Sequence, residues 1–262
     1  MIENKLRRHW SDGRATLNGW CAIGSPFTAE LMAAQGYDSI TVDVQHGALG
    51  YADALAMLQA MRASGVTPLA RAPWLDPAMI MKLLDAGALG IICPMIDDGA
   101  QAAEFVSYLR YPPLGRRSFG PIRASIAMPG YGTQANDEVL ALAMVETASA
   151  MANLEEIAAT PGLDGLYVGP ADLTLALSGG RLAPGFDREE EELVAAVRRI
   201  ADVCRAHGKF AALHCATPEY AVKAIGWGYH MTTVSGDSRL LAAAAGESVA
   251  RFRELVDGEA GA

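Results

Sequence analysis

Leu140-Ala-Leu-Ala-Met-Val-Glu-Thr147 and Gly165-Leu-Tyr-Val-Gly-Pro-Ala-Asp172-Leu173 are the two stretches that decide the fold of this chain. Each is a short apolar run followed by an acid, Glu146 in the first stretch and Asp172 in the second. Short runs without polar alternation are typical of strands that are buried on both faces of a parallel sheet. A segment with helical spacing, 151–160, separates the two runs. The sequence therefore predicts a strand, a helix and a second, parallel strand.

The same alternation extends outward to both ends of the chain. Glycines such as Gly36, Gly65 and Gly208 follow amphipathic stretches, where a left-handed helix C-cap favours glycine, and an apolar run follows almost immediately. The predicted strands are 18–24, 39–44, 68–72, 89–94, 140–145, 165–168, 210–214 and 230–234. The predicted helices are 28–35, 52–63, 78–86, 100–108, 151–160, 189–206, 218–227 and 239–255.

This order of elements predicts a (β/α)8 TIM barrel of the α/β class. Short connections from helix to strand, longer connections from strand to helix, and strands rich in Val, Ile and Leu are what a parallel barrel requires. A doubly wound open sheet is the alternative. The chain has 262 residues with 51% apolar content, which is close to the usual size of one such barrel, so we expect a single domain over 1–262.

Composition excludes several classes of partner. The net charge of −9 is spread without a basic run, so nucleic acid is not an expected ligand. No stretch of about 18 uninterrupted apolar residues occurs, and the N-terminus lacks the apolar segment of a signal peptide, so no membrane association is expected. The four cysteines have no C-x-x-C spacing, which indicates reduced thiols and a cytoplasmic protein.

The longest irregular stretch, 111–136, is rich in Gly, Pro and Arg. Loops of this length in compact domains are usually functional or disordered, so we expect it to line the pocket. Its arginines, Arg116, Arg117 and Arg123, could bind an anion or could face solvent, and the sequence does not decide between these two interpretations.

Polar residues at the carboxyl ends of the predicted strands are the candidates for a functional site, because barrel active sites are built there. Glu146 and Asp172 end neighbouring strands, and one or two carboxylates are a common protein contribution to a Mg2+ or Mn2+ site. We therefore expect a bound divalent metal, with Co2+ as a further candidate. Asp172 could instead be the N-cap of the following helix.

Three further strand-end residues complete the expected chemistry, which suits a 2-keto acid. Arg71 could hold a substrate carboxylate by a forked pair of hydrogen bonds, or could only pair with a neighbouring acid. His46 is the expected proton shuttle because histidine titrates near neutral pH, and Asp43 is expected to orient its imidazole. A purely structural role for His46 stays open. His214 is expected to pack or to support other groups rather than to bind a ligand.

Lysine positions and nucleotide-binding motifs argue against other chemistries. Schiff-base catalysis needs a desolvated lysine at the catalytic face. Lys82 and Lys223 lie inside helical patterns, and Lys209 precedes the seventh strand and so lies at the opposite end of the barrel. No Gly-x-Gly-x-x-Gly loop or Walker A sequence is present, which disfavours dinucleotide and NTP chemistry.

Seven motifs, taken together, resemble one known family. They are Leu-Asn-Gly-Trp (17–20), Ala-Glu-Leu-Met-Ala-Ala-Gln-Gly-Tyr-Asp (29–38), Asp-Val-Gln-His (43–46), Ala-Arg (70–71), Lys-Leu-Leu-Asp-Ala-Gly (82–87), Val-Glu-Thr (145–147) and Asp-Gly-Leu-Tyr-Val-Gly-Pro-Ala-Asp-Leu (164–173). Through them most of the chain resembles the HpcH/HpaI class II aldolases, which are metal-dependent and use pyruvate. The last motif is the most specific.

The resemblance implies a (β/α)8 barrel that assembles as a homohexamer, a trimer of dimers in which the last helix is exchanged between partners. It implies Glu146 and Asp172 as metal ligands. It implies Arg71 as the ligand of the pyruvate carboxylate and enolate, and His46 with Asp43 as the acid/base pair.

The resemblance extends to the substrate pockets. The backbone near Ala171 is implied to hold the keto-acid carboxylate, and Asp85 is implied to reach the site of the adjacent subunit. We expect the aldehyde pocket to draw on Trp20, on the end of strand seven near Leu213, and on the loop after strand four.

Two positions depart from the family pattern and bear on substrate preference. Met144 stands where Gln is frequent, and Gln45 stands where many members have Glu. The expected reaction is cleavage or formation of 4-hydroxy-2-oxo acids, with pyruvate or hydroxypyruvate as nucleophile and an aldehyde as acceptor. A CoA-thioester lyase of the citramalyl or malyl type and a non-catalytic keto-acid-binding barrel are the alternatives.

Overall fold

A closed barrel of eight parallel strands forms the centre of the computed structural model, which describes residues 3–260 and the side chains of residues 3–258. The strands are β1 (Thr16–Cys21), β2 (Ser39–Asp43), β3 (Thr67–Arg71), β4 (Gly90–Cys93), β5 (Leu140–Val145), β6 (Gly165–Val168), β7 (Phe210–Cys215) and β8 (Met231–Val234). They pair in chain order, and β8 pairs with β1 to close the ring. The predicted TIM barrel is confirmed, and the open doubly wound sheet is excluded.

The first strand differs most from its predicted bounds of 18–24. It begins at Thr16, because Thr16 is in register with Met231 of the closing strand. It ends at Cys21, because the next two amides, of Ala22 and Ile23, donate to the Asp237 carboxylate instead of to a neighbouring strand.

Helices surround the barrel. They are α1 (Lys5–Ser11), α2 (Pro26–Ala33), α3 (Tyr51–Ala60), α4 (Pro77–Asp85), α5 (Gly99–Leu109), α6 (Ile122–Ala127), α7 (Tyr131–Glu138), α8 (Ala148–Ala152), α9 (Leu154–Ala159), α10 (Pro170–Ser178), α11 (Glu191–Ala206), α12 (Pro218–Gly226) and α13 (Asp237–Ala260). A short 3-10 helix, Met61–Ser64, follows α3. Many begin with the expected signals, such as the Asp76 side chain that accepts from the Ala78 amide ahead of α4. Within residues 3–260, no helix has the length and apolar character needed to cross a bilayer.

The packed core has two layers. Inward side chains such as Leu142 and Met231 fill the barrel, and a larger apolar layer lies between the strands and the helices. Helix α1 covers the amino end of the barrel. There Trp10 packs on Phe210 at 4.8 Å between ring centroids, and its indole N–H donates to the Thr16 hydroxyl at 2.8 Å. The floor beneath the carboxyl end is therefore closed.

The stretch 111–136 is not a loop over the pocket, so that prediction was wrong. It contains α6 and most of α7 and packs beside α4. The Arg117 guanidinium is fully buried, 2.6 Å from the Asp85 carboxylate, and Arg123 donates to the Leu58 carbonyl. Arg116 lies at the surface, paired with Glu104. Arg117 and Arg123 hold helices together, and Arg116 is the one that faces solvent.

Candidate active site

A cavity of about 330 Å3 opens at the carboxyl ends of the strands. Most of the polar candidates from the sequence meet there. Its lining includes Trp20, Asp43, His46, Arg71, Met144, Glu146, Tyr167, Ala171, Asp172, Phe186, His214, Ser235, Ser238 and Arg239. Within the described chain, no lysine side chain lines this cavity. The lysine positions therefore agree with the prediction that Schiff-base chemistry is disfavoured.

Glu146 follows β5 directly and is 3% exposed. Its Oε1 accepts a hydrogen bond of 2.9 Å from the Met95 amide, and Met95 holds a positive φ of 57°. A β-carbon at Gly169 would collide with Oε2 of Glu146, so a larger residue there would displace that carboxylate. The loop after β4, to which Met95 belongs, therefore supports this carboxylate, whereas the prediction placed that loop in the aldehyde pocket.

Asp172 is the third residue of α10, in the first turn of the helix, and its side chain is exposed to the cavity. The N-cap of this helix is Gly169, so the alternative interpretation of Asp172 as an N-cap was wrong. An acid in the first helical turn is favoured by the helix dipole, which partly offsets the cost of placing it beside a second carboxylate.

The two carboxylates suit a divalent cation. Burial raises the pKa of Glu146 to about 7; the Met95 amide opposes that rise, and the charge of Asp172 adds to it. Two oxygen donors that disfavour each other's charge are compensated by a hard cation between them. Within residues 3–258 no group of three or more His, Cys, Asp or Glu side chains is placed to hold a metal. The protein would thus supply two ligands and leave the other positions to water and substrate.

Asp43 and Arg71 form a buried, forked ion pair. The Arg71 Nε donates to Oδ1 of Asp43 at 2.8 Å, and a terminal nitrogen of Arg71 donates to Oδ2 at 2.6 Å. The indole of Trp20 donates to the same Oδ2 at 3.1 Å. Burial by itself would raise the pKa of Asp43, but the hydrogen bonds and the charge of Arg71 outweigh it, so the pKa is lowered. Asp43 is therefore a fixed anion that holds Arg71.

The sequence predicted that Asp43 orients the imidazole of His46, but in the structure it contacts only the main chain there. Its Oδ1 accepts from the main-chain amides of Gln45 at 3.1 Å and of His46 at 3.2 Å. The His46 ring is exposed, lines the cavity and, within residues 3–258, has no hydrogen-bond partner. Arg71 pairs with an acid, as one interpretation proposed, and still lines the cavity, as the other required.

His214, and not Leu213, faces the cavity. Side chains alternate along a strand, and Leu213 packs in the layer between β7 and the helices. His214 Nε2 donates to the Ser235 carbonyl at 3.1 Å, so Nδ1 is left to accept from the Tyr167 hydroxyl at 3.3 Å. Burial and the charge of Arg71 lower the pKa of His214 to about 3. The ring is therefore neutral near pH 7, with its single proton on Nε2.

The remaining predicted residues divide between the cavity and other places. Trp20, Ala171 and Met144 line it. Asp85 ends α4, is bound to Arg117 and is not part of the lining, so in this chain by itself it does not reach the site.

Sequence reasoning missed several lining residues, among them Phe186 and Arg239. His214 was named from the sequence at the end of β7, and the period of two along the strand explains why it lines the cavity and Leu213 does not. No comparable pattern marks Phe186, which lies between α10 and α11, or Arg239, which lies in the first turn of α13.

Comparison with known proteins agrees with this geometry. The model of the HpcH/HpaI aldolase/citrate lyase family matches residues 18–244. A hydroxypyruvate/pyruvate aldolase from Rhizorhabdus wittichii is 40% identical over 253 residues, which cover 96% of this chain and 100% of that protein. A 2-dehydro-3,6-dideoxy-6-sulfogluconate aldolase from Pseudomonas putida is 35% identical and covers 89% of this chain and 91% of its own.

The fold is also shared with a solved member of the family. The crystal structure of an HpcH/HpaI aldolase/citrate lyase family protein from Burkholderia cenocepacia superposes with a TM-score of 0.87 at 30% identity, covering 95% of this chain and 99% of the other. With a closed (β/α)8 barrel, two carboxylates at adjacent strand ends and these matches over nearly its whole length, the chain belongs to the HpcH/HpaI aldolase/citrate lyase family.

Proposed function

We propose that this chain is a class II aldolase that cleaves or forms 4-hydroxy-2-oxo acids, with pyruvate or hydroxypyruvate as the nucleophile and an aldehyde as the acceptor. The observation that carries the proposal is the buried Glu146 beside Asp172 in one cavity with the Asp43–Arg71 pair. The aldolase names of two relatives that each cover most of the chain support it.

The cofactor in this proposal is Mg2+ or Mn2+, with Co2+ as a further candidate, held by Glu146 and Asp172. Both offer carboxylate oxygens, which these hard ions prefer. When bound, the ion supplies Lewis acidity toward a carbonyl oxygen.

The chain's own residues bind and orient the keto acid. Asp43 occupies the Nε edge of the Arg71 guanidinium and fixes its plane, which leaves the remaining N–H groups to donate to a substrate oxygen. The backbone around Ala171, in the first turn of α10, offers N–H groups and the positive end of a helix to the keto-acid carboxylate.

His46 is the proposed proton acceptor. It stands at the cavity wall with a free imidazole, where it can take the C4 hydroxyl proton during cleavage and return it during synthesis. Asp43 contributes by fixing the turn that carries His46, through the main-chain amide, and not by bonding to the ring.

Assembly and location are part of the same proposal. After its first turn, α13 presents an exposed apolar stripe made of Leu241, Val249, Phe252, Leu255 and Val256. Such a stripe on a helix supports burial against a partner, as the expected exchange of the last helix in a homohexamer requires. In that assembly Asp85 would serve the neighbouring site. The four cysteines are buried and free, which supports a cytoplasmic location.

The test is exchange of the pyruvate C3 protons into heavy water, followed by NMR with metal-free, Mg2+-loaded and Mn2+-loaded protein. Exchange should require metal and should vanish in Glu146→Ala, because that variant removes one of the two proposed ligands. Glu30→Ala, an exposed glutamate of α2, is the matched control and should exchange like the wild type. Absence of exchange with every metal would overturn the proposal and favour the thioester lyase or the binding protein.

A further inference from the structure

Arg239 lies at the edge of the cavity, and the proposed chemistry gives this cationic side chain no role. Arg239 lies in the first turn of α13 and lines the cavity. Its guanidinium carbon lies 4.6 Å from the centroid of the Phe186 ring. Among the side chains of residues 3–258, no carboxylate lies within salt-bridge distance of this guanidinium. Arg71, by contrast, is already paired with Asp43.

The backbone that carries Arg239 is fixed from two sides. Asp237, which is 3% exposed, accepts from the amides of Ala22 at 2.9 Å and Ile23 at 3.1 Å, and so ties the start of α13 to the chain after β1. Ser235 holds a positive φ of 58°, and its carbonyl accepts from His214. A non-glycine residue in this conformation persists where its surroundings impose it, and such sites cluster around ligands. Arg239 thus projects from a rigid base.

The wall beside Arg239 is aromatic and electrically neutral. The His214 ring lies 4.9 Å from Trp20 and 5.0 Å from Phe186, measured between ring centroids. His214 cannot add a positive charge, because its Nε2 donates to a carbonyl and Nδ1 accepts from Tyr167. Two cationic side chains contact this wall among the described residues: Arg71, whose guanidinium carbon lies 4.9 Å from the Trp20 ring centroid, and Arg239 beside Phe186. Arg71 is paired with Asp43, so Arg239 is the one without a carboxylate partner.

This aromatic and cationic subsite adjoins the keto-acid groups at Trp20, which contacts Asp43 and Arg71, and extends from there to Phe186 and Arg239. The proposed metal ligands follow β5 and β6, and Arg71 and His46 follow β3 and β2. The subsite is built on the ends of β1 and β7, on the residues that follow β8, and on Phe186 from the segment between α10 and α11. A keto acid held by the first set leaves the second set to the other reactant.

We propose that Arg239 selects an acceptor aldehyde that carries an anionic group, a carboxylate or a phosphate, at the end remote from its carbonyl. This inference rests on the proposed aldolase function. In cleavage, the C3–C4 bond breaks and its electron pair stays with C3 of the keto acid. The C4 hydroxyl loses its proton and C4 becomes the aldehyde carbon, so the anionic end remains with the aldehyde beside Arg239.

The experiment compares acceptor pairs that differ in charge. Succinic semialdehyde is paired with butanal, and glyceraldehyde 3-phosphate with glyceraldehyde, each with pyruvate and Mg2+. Arg239→Gln should lower kcat/KM for the preferred anionic acceptor by about 10- to 100-fold, mainly through KM, which is the range of a lost charge-assisted hydrogen bond. The neutral acceptors should be unaffected. The semialdehyde and phosphate arms show which anionic group fits.

Two further variants guard the interpretation. Arg239→Lys should recover part of the preference, because it keeps the charge and loses the forked geometry. Arg199→Gln, at an exposed position of α11, is the matched control and should behave as the wild type. Pyruvate proton exchange should persist in Arg239→Gln, which shows that the fold and the metal site are intact.

Equal losses for anionic and neutral acceptors, or no loss for either, would overturn the role of Arg239. So would a wild-type protein that exchanges pyruvate protons but shows no preference for the anionic member of either pair. If the wild type does not exchange pyruvate protons with any metal, the proposed function fails, and the inference that rests on it fails as well.

Discussion

Among single residues, Glu146 is a buried acid whose ionisation in the metal-free protein moves to near neutral pH. Its pKa rises to about 7 from an ordinary value of 4.5, first because of burial. An acid with a raised folded pKa stabilises the fold fully below its unfolded pKa, and that stabilisation is lost as the pH rises through the folded pKa. The charged carboxylate is therefore a source of instability at neutral pH until a cation binds.

Metal-free wild type should lose stability relative to Glu146→Gln as the pH rises from about 5 to about 8, by up to about 3 kcal/mol, because Gln does not ionise. Urea unfolding of both proteins in the presence of a chelator, at each pH, measures the difference. Addition of Mn2+ should reduce the pH dependence of the wild type only. Identical pH dependence in the two proteins would show that Glu146 is not destabilised by its charge.

The side-chain pairs of the site show where sequence reasoning stops. Glu146 could be placed from the sequence because an apolar run ends at it. The partner of Asp43 could not, because β2 and β3 set Asp43 in register with Arg71, and register between strands is not visible in a single sequence. Spacing along the turn predicted that Asp43 bonds to the His46 imidazole, and this prediction was wrong.

At the scale of elements, the start of α10 packs so tightly against Glu146 that a side chain at Gly169 would displace the carboxylate. Gly169 lies against the carboxylate of Glu146, and Pro170 starts the helix with a preset φ. The element that carries Asp172 therefore approaches Glu146 as closely as the backbone allows. We therefore expect a change at Gly169 to move the two proposed metal ligands relative to each other.

Gly169→Ala should weaken Mn2+ binding by about tenfold or more and cost about 1–3 kcal/mol of stability, because the added methyl group must displace Glu146 or α10. Electron paramagnetic resonance titration and urea unfolding measure the two effects. Gly226→Ala, at the end of α12, is the matched control, since its added methyl group meets no atom within 4 Å. Unchanged Mn2+ affinity in Gly169→Ala would contradict this account.

Strands and long helices were predictable, whereas the short helices after α5 were not. Helices α6 and α7 have six and eight residues, lengths that are marginal without tertiary support. Their support is distant in sequence: Arg123 of α6 donates to the Leu58 carbonyl, and the Tyr131 hydroxyl of α7 donates to the Leu84 carbonyl at 3.4 Å. A local reading of Gly, Pro and Arg could not reveal these contacts and favoured a loop.

At the scale of the whole molecule, the barrel was predictable because eight apolar runs and their glycine stops repeat along the chain. The outer surface was less predictable from the sequence. Leu241, Val249, Phe252, Leu255 and Val256 recur on one face of α13, and all five are exposed in a single chain. This face supports an assembled protein rather than an isolated barrel.

Leu241→Glu combined with Phe252→Glu should shift the protein to a smaller species in sedimentation velocity, because two charges would enter the proposed interface. Ala250→Glu, on the opposite face of α13, is the matched control and should sediment as the wild type. A double variant that sediments like the wild type would remove α13 from the assembly interface.

Helix α1, with Trp10 packed into the barrel, closes the amino end and so leaves access to the cavity only from the carboxyl end. With the amino end sealed, both reactants enter and leave through the rim where Arg239 stands. In the two proposals, the keto acid binds at Glu146 and Asp172 and the aldehyde binds beside Arg239. With that placement the aldehyde would lie between the keto acid and solvent, so we expect the keto acid to bind first and to leave last.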